Sequence, residues 1–174
     1  ISYSLIADAV YNYGKGLVFT GWGSFCFNVY LGDPELGDAI DVMADMLPVV
    51  IDGDDHYLQD SENALDEIFP SAITDGVSSF FSHYADYTNY IKDGSQVHAT
   101  FSNGVSAITS WEYGNGKVIY LGHIYMGGLE IYNNENLFED ESPVNLLTNS
   151  IAWVIYEELN VVTLSHGNSY DFFS

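Results

Sequence analysis

Residues 5–24 constrain the fold more than any other part of this chain. Apolar side chains first recur at spacings of three and four, which predicts an amphipathic helix; they are Leu5, Ile6, Ala9, Val10 and Tyr13. After the turn 14–16, the apolar run 17–20 is bounded by glycine and predicts a strand buried on both faces, left by a loop at 21–24. A helix, a glycine turn and a buried strand in this order are typical of an α/β layer.

Charge decides which partners this layer can have. The chain holds 25 Asp and Glu residues against 3 Lys or Arg, a formal net charge of -22, yet 47% of its residues are apolar. That apolar content is enough for a core, so we expect a folded domain. So acidic a surface repels phosphate backbones and anionic lipids, and the chain has no apolar run of 18 residues. We therefore expect no nucleic-acid partner and no membrane insertion.

The acidic surface also prompts a prediction about location. A surface rich in Asp and nearly free of basic residues stays hydrated where salt screens its self-repulsion. We expect an extracellular or cell-surface, halophilic protein in a saline or calcium-rich environment. The chain starts at Ile1 with no initiator Met or basic leader, which predicts upstream processing or truncation.

Twelve of the acidic residues lie between Asp33 and Glu67. A helical apolar stripe runs through the first part of this stretch and ends at Pro48; it comprises Leu36, Ala39, Ile40, Met43 and Leu47. Residues 49–51 predict another short strand, and a brief helix is expected at 62–68.

Residues 96–124 follow a different pattern, because alternation replaces helical spacing. Two glycine turns, at 102–104 and 114–116, separate three alternating or apolar runs, which predicts two successive hairpins. Ser142-Pro143 is a favourable helix start, and the stripe after it predicts a helix to about residue 160. We expect one domain over residues 1–160, with 161–174 as a tail or linker.

Four segments in this order resemble the class I glutamine-amidotransferase-like superfamily, and within it the non-catalytic ThuA-like branches. They are GKGLVFTGW at 14–22, FPSAITDGV at 69–77, YGNGKVIYLG at 113–122 and LLTNSIAW at 146–153. The resemblance implies a flavodoxin-like, three-layer α/β/α sandwich with a mostly parallel sheet and a C-terminal antiparallel hairpin section.

The chain also departs from that superfamily. Members carry a β-α-β stretch before the strand at 17–20, whereas one helix precedes it here, so we expect a domain of a larger polypeptide. Lys117 stands where Arg is usual in the superfamily, and Ser71 stands where a His is expected.

Catalysis by an amidotransferase requires a Cys on a glycine-flanked elbow and a His followed two residues later by Glu. Cys26 has Phe on both sides, and no His is followed by Glu at that spacing. We expect Cys26 to be a small buried apolar residue. His123 follows a predicted strand, where α/β folds build ligand crevices, so Cys26 and His123 are the weak candidates for catalysis. Whether the chain is an enzyme stays open, with the non-catalytic reading favoured.

Two acidic clusters carry the type of oxygen ligand that calcium prefers. One is Asp52, Asp54 and Asp55, and the other is Glu139, Asp140 and Glu141. Neither matches an EF-hand, and for each a solvated acidic loop is the favoured reading over a calcium site. We expect no other cofactor.

The function expected from these features is association. We predict a non-catalytic acidic domain that binds other protein chains, other domains of the same polypeptide or a second copy of itself, with calcium as a candidate ligand. The alternative is a hydrolase or amidotransferase-like enzyme, or a carbohydrate-binding module, using a crevice near Trp22, Cys26 and His123. The many aromatic residues, such as Tyr84, suit a sugar platform, a protein interface or a core.

Overall fold

The computed structural model describes residues 3–33, 37–54, 57–125 and 136–156. The described part contains four α-helices, seven strands and one 3-10 helix. The helices are α1 (Tyr3–Tyr11), α2 (Gly23–Val29), α3 (Gly37–Met46) and α4 (Glu141–Ile155), and the 3-10 helix is Asp60–Asn63. The strands are β1 (Gly16–Thr20), β2 (Tyr57–Gln59), β3 (Leu65–Ile68), β4 (Tyr84–Asp86), β5 (Gln96–Phe101), β6 (Ser106–Tyr113) and β7 (Gly116–Leu121).

Five strands form the main sheet, in the order β1-β7-β6-β5-β3. β1 and β7 run parallel, with Gly16 opposite Lys117 and Thr20 opposite Leu121. The other three pairs, β7 with β6, β6 with β5 and β5 with β3, are antiparallel.

The predicted flavodoxin-like sandwich with a mostly parallel sheet is therefore wrong. Parallel neighbours need a long crossover, whereas antiparallel neighbours need only a short turn. The turns at 102–105 and 114–115 join β5, β6 and β7 directly, so these strands form the antiparallel middle of the sheet. The two predicted hairpins are confirmed, but their strands form the middle of the sheet and are not appended to a parallel sheet.

Apolar side chains fill the space on both sides of the sheet, because successive residues of β1 and β7 point to opposite faces. Val118 and Tyr120 pack with Val10 of α1, Phe27 of α2 and Met43 of α3. On the other side, the cluster joins strand residues to α4; it includes Ile119, Leu121, Phe101, Leu146 and Val154. The β1–β7 pair is thus buried on both faces.

A two-stranded antiparallel ribbon, β2 with β4, lies against the end of β7. Ala85 forms a bridge with His123, and the Asp86 amide donates to the Gly122 carbonyl at 2.8 Å. The ribbon therefore sits at the carboxyl end of the parallel pair, which is the position where α/β sheets commonly hold ligands.

Several local predictions need correction. Residues 49–51 contribute one isolated bridge, Val49 to Ile91, and no strand. The helix expected at 62–68 is a 3-10 turn followed by β3. Residues 23 and 24, expected in a loop, begin α2. The predicted tail, 161–174, lies outside the described residues. None of the helices that the structure describes is both long and apolar enough to span a bilayer.

Candidate functional site

The turn between β1 and α2 brings the backbone to the carboxyl end of β7. The Gly21 amide donates to the His123 carbonyl at 3.1 Å, and a Cβ on Gly21 would lie 2.3 Å from the Gly122 oxygen. Trp22 follows with φ 70°, the one non-glycine residue at positive φ in the described chain. That conformation costs about 1 kcal/mol or more for an L-residue, so the surrounding structure must enforce it.

A buried polar network lies immediately beside this turn. The Ser24 hydroxyl donates to Asp86 Oδ2 at 2.9 Å, and the Phe25 amide donates to the same oxygen at 3.0 Å. Because the single Ser24 proton goes to Asp86, the Tyr120 hydroxyl, 3.0 Å away, donates to Ser24 Oγ. Asp86 thereby anchors the ribbon to the start of α2.

The Asp86 carboxyl is buried and incompletely paired. Asp86 is 1% exposed, and its Oδ1 makes no hydrogen bond of good geometry with any residue that the structure describes. Burial raises the pKa of Asp86 to about 6, and hydrogen bonds from the Phe25 amide, the Ser24 hydroxyl and the Trp22 and Ser24 amides oppose part of that shift. At neutral pH the group is mostly ionised, with one oxygen unsatisfied.

Four aromatic side chains surround a small pocket on the surface above this network, and we call it the aromatic pocket. It has a volume of about 250 Å³ and is lined by Trp22, Phe25, Tyr57 and Tyr84. The rings contact one another in a closed cycle, with centroids 5.3 Å apart for Trp22 and Phe25, 6.0 Å for Phe25 and Tyr57, 6.2 Å for Tyr57 and Tyr84, and 5.8 Å for Tyr84 and Trp22.

The ribbon register places Asp86 on the same face as two of these rings. Tyr84 and Asp86 are two residues apart on β4, so their side chains point the same way. Tyr57 is the direct partner of Asp86 on β2, and directly opposed residues also share a face. The ribbon therefore turns Tyr57, Tyr84 and Asp86 together toward the start of α2, where Trp22 and Phe25 lie.

His123, a candidate catalytic residue, is fully buried. Its Nε2 lies 2.9 Å from the Asn63 carbonyl, and its ring packs against Phe80 and Phe101 at centroid distances of 4.4 and 5.1 Å. Burial lowers the pKa of His123 to about 4, so the imidazole is neutral at physiological pH. A side chain with no exposed surface cannot reach a substrate in this conformation.

Cys26 is exposed, so the prediction that it is a small buried apolar residue is wrong. It lies on the outer side of α2, while Ser24, Phe27 and Asn28 are the residues of that helix that are buried. Partial burial, and then the charge of Asp86, raise the pKa of the Cys26 thiol. The thiol is therefore less ionised than an ordinary cysteine at neutral pH, which is the opposite of an activated nucleophile.

The crevice predicted near Trp22, Cys26 and His123 is thus not a single site. Trp22 lines the aromatic pocket, Cys26 lines a separate pocket of about 220 Å³ beside Tyr3 and Tyr30, and His123 is in the core. Sequence reasoning missed Asp86, Phe25 and Tyr57. The spacing of Tyr84 and Asp86 on a short strand was the available signal for two of the site residues.

The two acidic clusters lie on different elements. Asp52 Oδ1 accepts from the Asp54 amide, and the Asp52 and Gly53 amides donate to Asn28 Oδ1. Asp55 lies outside the described residues. Glu139 and Asp140 precede α4, and Glu141 is its first residue. Among the residues described, no three His, Cys, Asp or Glu side chains are grouped as metal ligands; calcium binding stays a prediction.

A larger cleft of about 730 Å³ lies near the amino end of the same parallel pair, lined in part by Gly16, Lys117 and Tyr156. It is at the opposite end of the strands from the position where α/β sheets commonly bind ligands. The aromatic pocket is therefore the better candidate site.

Comparison with known proteins identifies similar folds. No family model matches the sequence, and no curated protein matches it. The structure is similar to cytoplasmic protein STM1381 from Salmonella typhimurium LT2, with a TM-score of 0.66, 22% identity, and coverage of 87% of this chain and 60% of that one. It is also similar to cytoplasmic protein STM3548 from Salmonella typhimurium, with a TM-score of 0.65, 19% identity, and coverage of 87% and 59%.

These matches establish a shared fold and no shared activity. The chain spans about three fifths of the length of each matched structure. They also contradict the predicted extracellular or cell-surface location, because both similar proteins are named as cytoplasmic. The physical reason for the error is that net charge governs solubility and self-repulsion, and acidic composition carries no information on compartment.

Proposed function

We propose that this chain is a non-catalytic binding domain of a larger protein and that its binding site is the aromatic pocket. The position of Cys26 carries the proposal: the single thiol of the chain is on the outer side of α2, with a raised pKa. Trp22 occupies the strained turn between β1 and α2. Enzymes with a nucleophile elbow place their catalytic Ser or Cys at such a strand-to-helix turn. An aromatic ring at that turn can bind a ligand but cannot attack one.

Ser24 does not replace the missing nucleophile. Its hydroxyl has no exposed surface and is held between Asp86 and Tyr120. A hydroxyl buried in this way stabilises the α2 turn and has no access to a substrate. The neighbouring acid therefore supports the binding-domain proposal and not a catalytic one.

Three further parts of the proposal rest on sequence alone. Membership in the glutamine-amidotransferase-like superfamily rests on the four segments named above, and the mixed sheet departs from the fold that the resemblance implies. Association with protein chains or with other domains rests on composition, and calcium rests on the two acidic clusters. The binding-domain proposal does not depend on any of the three.

The reactivity of Cys26 tests the non-catalytic part. We expect iodoacetamide to react slowly with Cys26, because burial and the charge of Asp86 both disfavour the thiolate. The midpoint of the pH dependence of the rate should lie above the pKa of a free thiol. Cys26→Ala should change the free energy of unfolding by less than about 0.5 kcal/mol. Fast, selective alkylation with a midpoint below neutral pH would indicate an activated thiol and contradict the proposal.

Carbohydrate binding is the second candidate, because Tyr57 is 49% exposed and aromatic rings are common sugar platforms. The ring geometry counts against it: Trp22 with Phe25 and Phe25 with Tyr57 meet at 84° and 87°, so the rings enclose a hollow and do not form a flat surface. Titration with cellohexaose and with maltohexaose, followed by tryptophan fluorescence, tests whether the pocket binds carbohydrate. We expect no saturable change.

A further inference from the structure

We propose that the aromatic pocket binds a small organic cation carrying a methylated ammonium group. This inference rests on the proposed function, since it names the ligand class of the same pocket. The arrangement of the rings, the neighbouring Asp86 carboxylate and the positions of the lysines all favour such a ligand.

The closed cycle of rings is the first argument. A cation is attracted to the face of an aromatic ring, and methylated ammonium groups are bound by several rings that surround them. In the aromatic pocket each ring meets the next at an interplanar angle between 57° and 87°, so no ring stacks flat on its neighbour and closes the hollow. The volume of about 250 Å³ is below that of pockets for drug-sized ligands, which suits a compact headgroup.

Charge is the second argument. Asp86 shares the ribbon face with Tyr57 and Tyr84, is almost completely buried, and has no hydrogen bond of good geometry at Oδ1 in the described chain. A negative charge beneath an aromatic lining attracts cations and repels anions. The net charge of -22 adds a field of the same sign over the whole surface.

The lysines provide the third argument, because this protein already pairs cations with its tryptophans. The Lys92 ammonium lies 4.9 Å from the Trp111 ring centroid, and the Lys117 ammonium lies 5.0 Å from that of Trp153. Each lysine also donates to backbone carbonyls, so neither is free to move to the pocket. Trp22 is the remaining one of the three tryptophans, and no lysine lies over it in the described part.

Lys15, the remaining basic residue, lines the cleft near Tyr156. The chain contains no Arg. In the described part of the chain no Lys or Arg lies over the aromatic pocket, and His83, whose ring lies 4.4 Å from that of Tyr84, is not one of its lining residues. A cation from solution is therefore the occupant that the rings and the charge both favour.

Isothermal titration with choline tests the proposal, with 3,3-dimethylbutan-1-ol as the matched control. The two molecules have nearly the same shape, but only choline is charged. We expect choline to bind at one site and the neutral alcohol to bind at least about tenfold more weakly, which is the difference that several desolvated rings provide. Raising the salt concentration should weaken choline binding only modestly, since the site is partly buried.

Variants locate the binding. Tyr57→Leu should weaken choline binding several-fold, whereas Tyr57→Phe, which keeps the ring, should retain it. Tyr13→Leu removes a tyrosine outside the pocket that is 69% exposed, against 49% for Tyr57, and should have no effect. Asp86→Asn should weaken choline binding while leaving binding of the neutral alcohol unchanged. Tyr57 is half exposed, so its variants should fold.

The outcomes separate this inference from the proposed function. Equal binding of choline and the alcohol, lost in Tyr57→Leu, would overturn the cation inference and leave a binding pocket in place. Absence of choline binding, or choline binding unaffected by Tyr57→Leu and Asp86→Asn, would also overturn it. The proposed function fails by a different result, the fast alkylation of Cys26 described above.

Discussion

The two ends of the β1–β7 pair are built differently. At the amino end, backbone groups close the structure: the Asn115 amide donates to the Tyr11 carbonyl at 2.8 Å, and the Lys15 amide donates to the Ala9 carbonyl at 3.1 Å. At the carboxyl end, backbone contact at Gly21 is equally close, but the side chains of Asp86 and His123 each keep one buried polar atom without a hydrogen bond in the described chain.

The difference coincides with the location of the proposed binding site, which lies at the carboxyl end. Buried polar atoms without partners are rare in proteins, and each one has a cost. The amino end avoids that cost because its backbone amides donate to backbone carbonyls. The carboxyl end keeps it at Asp86, next to four rings that are open to solvent. Sites that bind ligands commonly retain such unfavourable groups.

The largest expected effect comes from alanine substitutions that test whether the backbone is equally rigid at both ends of the β1–β7 pair. A Cβ on Gly21 would lie 2.3 Å from the Gly122 oxygen, and one on Gly116 would lie 2.4 Å from the Lys15 oxygen. Because backbone atoms cannot move aside cheaply, Gly21→Ala and Gly116→Ala should each lower the free energy of unfolding by about 3 kcal/mol. Urea denaturation measures both.

Gly37→Ala is the control for these two variants. Its Cβ would meet no atom within 4 Å, so its effect should stay within about 1 kcal/mol. A loss of stability in Gly116→Ala with none in Gly21→Ala would mean that the carboxyl end moves to accept the added methyl group. The backbone would then not be equally rigid at the two ends.

The second prediction concerns the pH dependence of stability, which should exist at the carboxyl end because of Asp86. The folded pKa is about 6 and the unfolded value about 3.9, so the folded chain binds the proton more tightly. The contribution of Asp86 to the free energy of unfolding should therefore be greatest below about pH 4 and fall as pH rises through 6. A shift of this size corresponds to about 3 kcal/mol.

Asp86→Asn isolates that contribution, because it keeps an oxygen acceptor for Ser24 and Phe25 and cannot ionise. Unfolding by urea is measured for both proteins at several values between about pH 4 and pH 7. The wild type should lose about 2 kcal/mol more than the variant over this range, because the full difference is reached only below pH 4. His98 and His123, whose pKa values are lowered to about 4, act in the opposite direction, but they are present in both proteins. Parallel curves would contradict the assignment.

The smallest predicted effect tests the strain at Trp22. Trp22→Gly and Trp22→Ala both remove the ring, but only glycine accepts φ 70° without cost. The glycine variant should be more stable than the alanine variant by about 0.5 to 1 kcal/mol. At Asn12, near the amino end and outside the positive-φ region, the order should reverse. Thermal unfolding of the four variants gives the comparison, and the same order at both positions would refute it.

Local patterns in the sequence predicted several elements correctly. The helical stripe before Pro48 became α3, and the glycine turns predicted at 102–104 and 114–116 became the hairpins of β5, β6 and β7. These succeeded because periodicity and turn chemistry depend on adjacent residues. The short strand expected at 49–51 failed because an apolar run does not reveal whether a partner strand lies beside it.

The candidate site was only partly predictable. Trp22 stood out between two glycines, and Tyr84 belonged to an aromatic stretch, but nothing in the sequence joined them. Asp86 was one acid among 25 until the structure buried it. The exposed position of Cys26 depends on which face of α2 packs on the sheet, and a seven-residue helix with few polar residues leaves that face undetermined.

The sequence by itself determined the acidic surface, the single cysteine, the helical stripes and the hairpins, because each is a property of composition or of residues close together in the chain. Tertiary structure decided the mixed order of the sheet, the burial of His123 and the assembly of the aromatic pocket. The hydrogen bond from Phe25 to Asp86 joins residues 61 positions apart. Contacts over such separations form only when the sheet brings the ribbon and α2 together, and no local pattern encodes them.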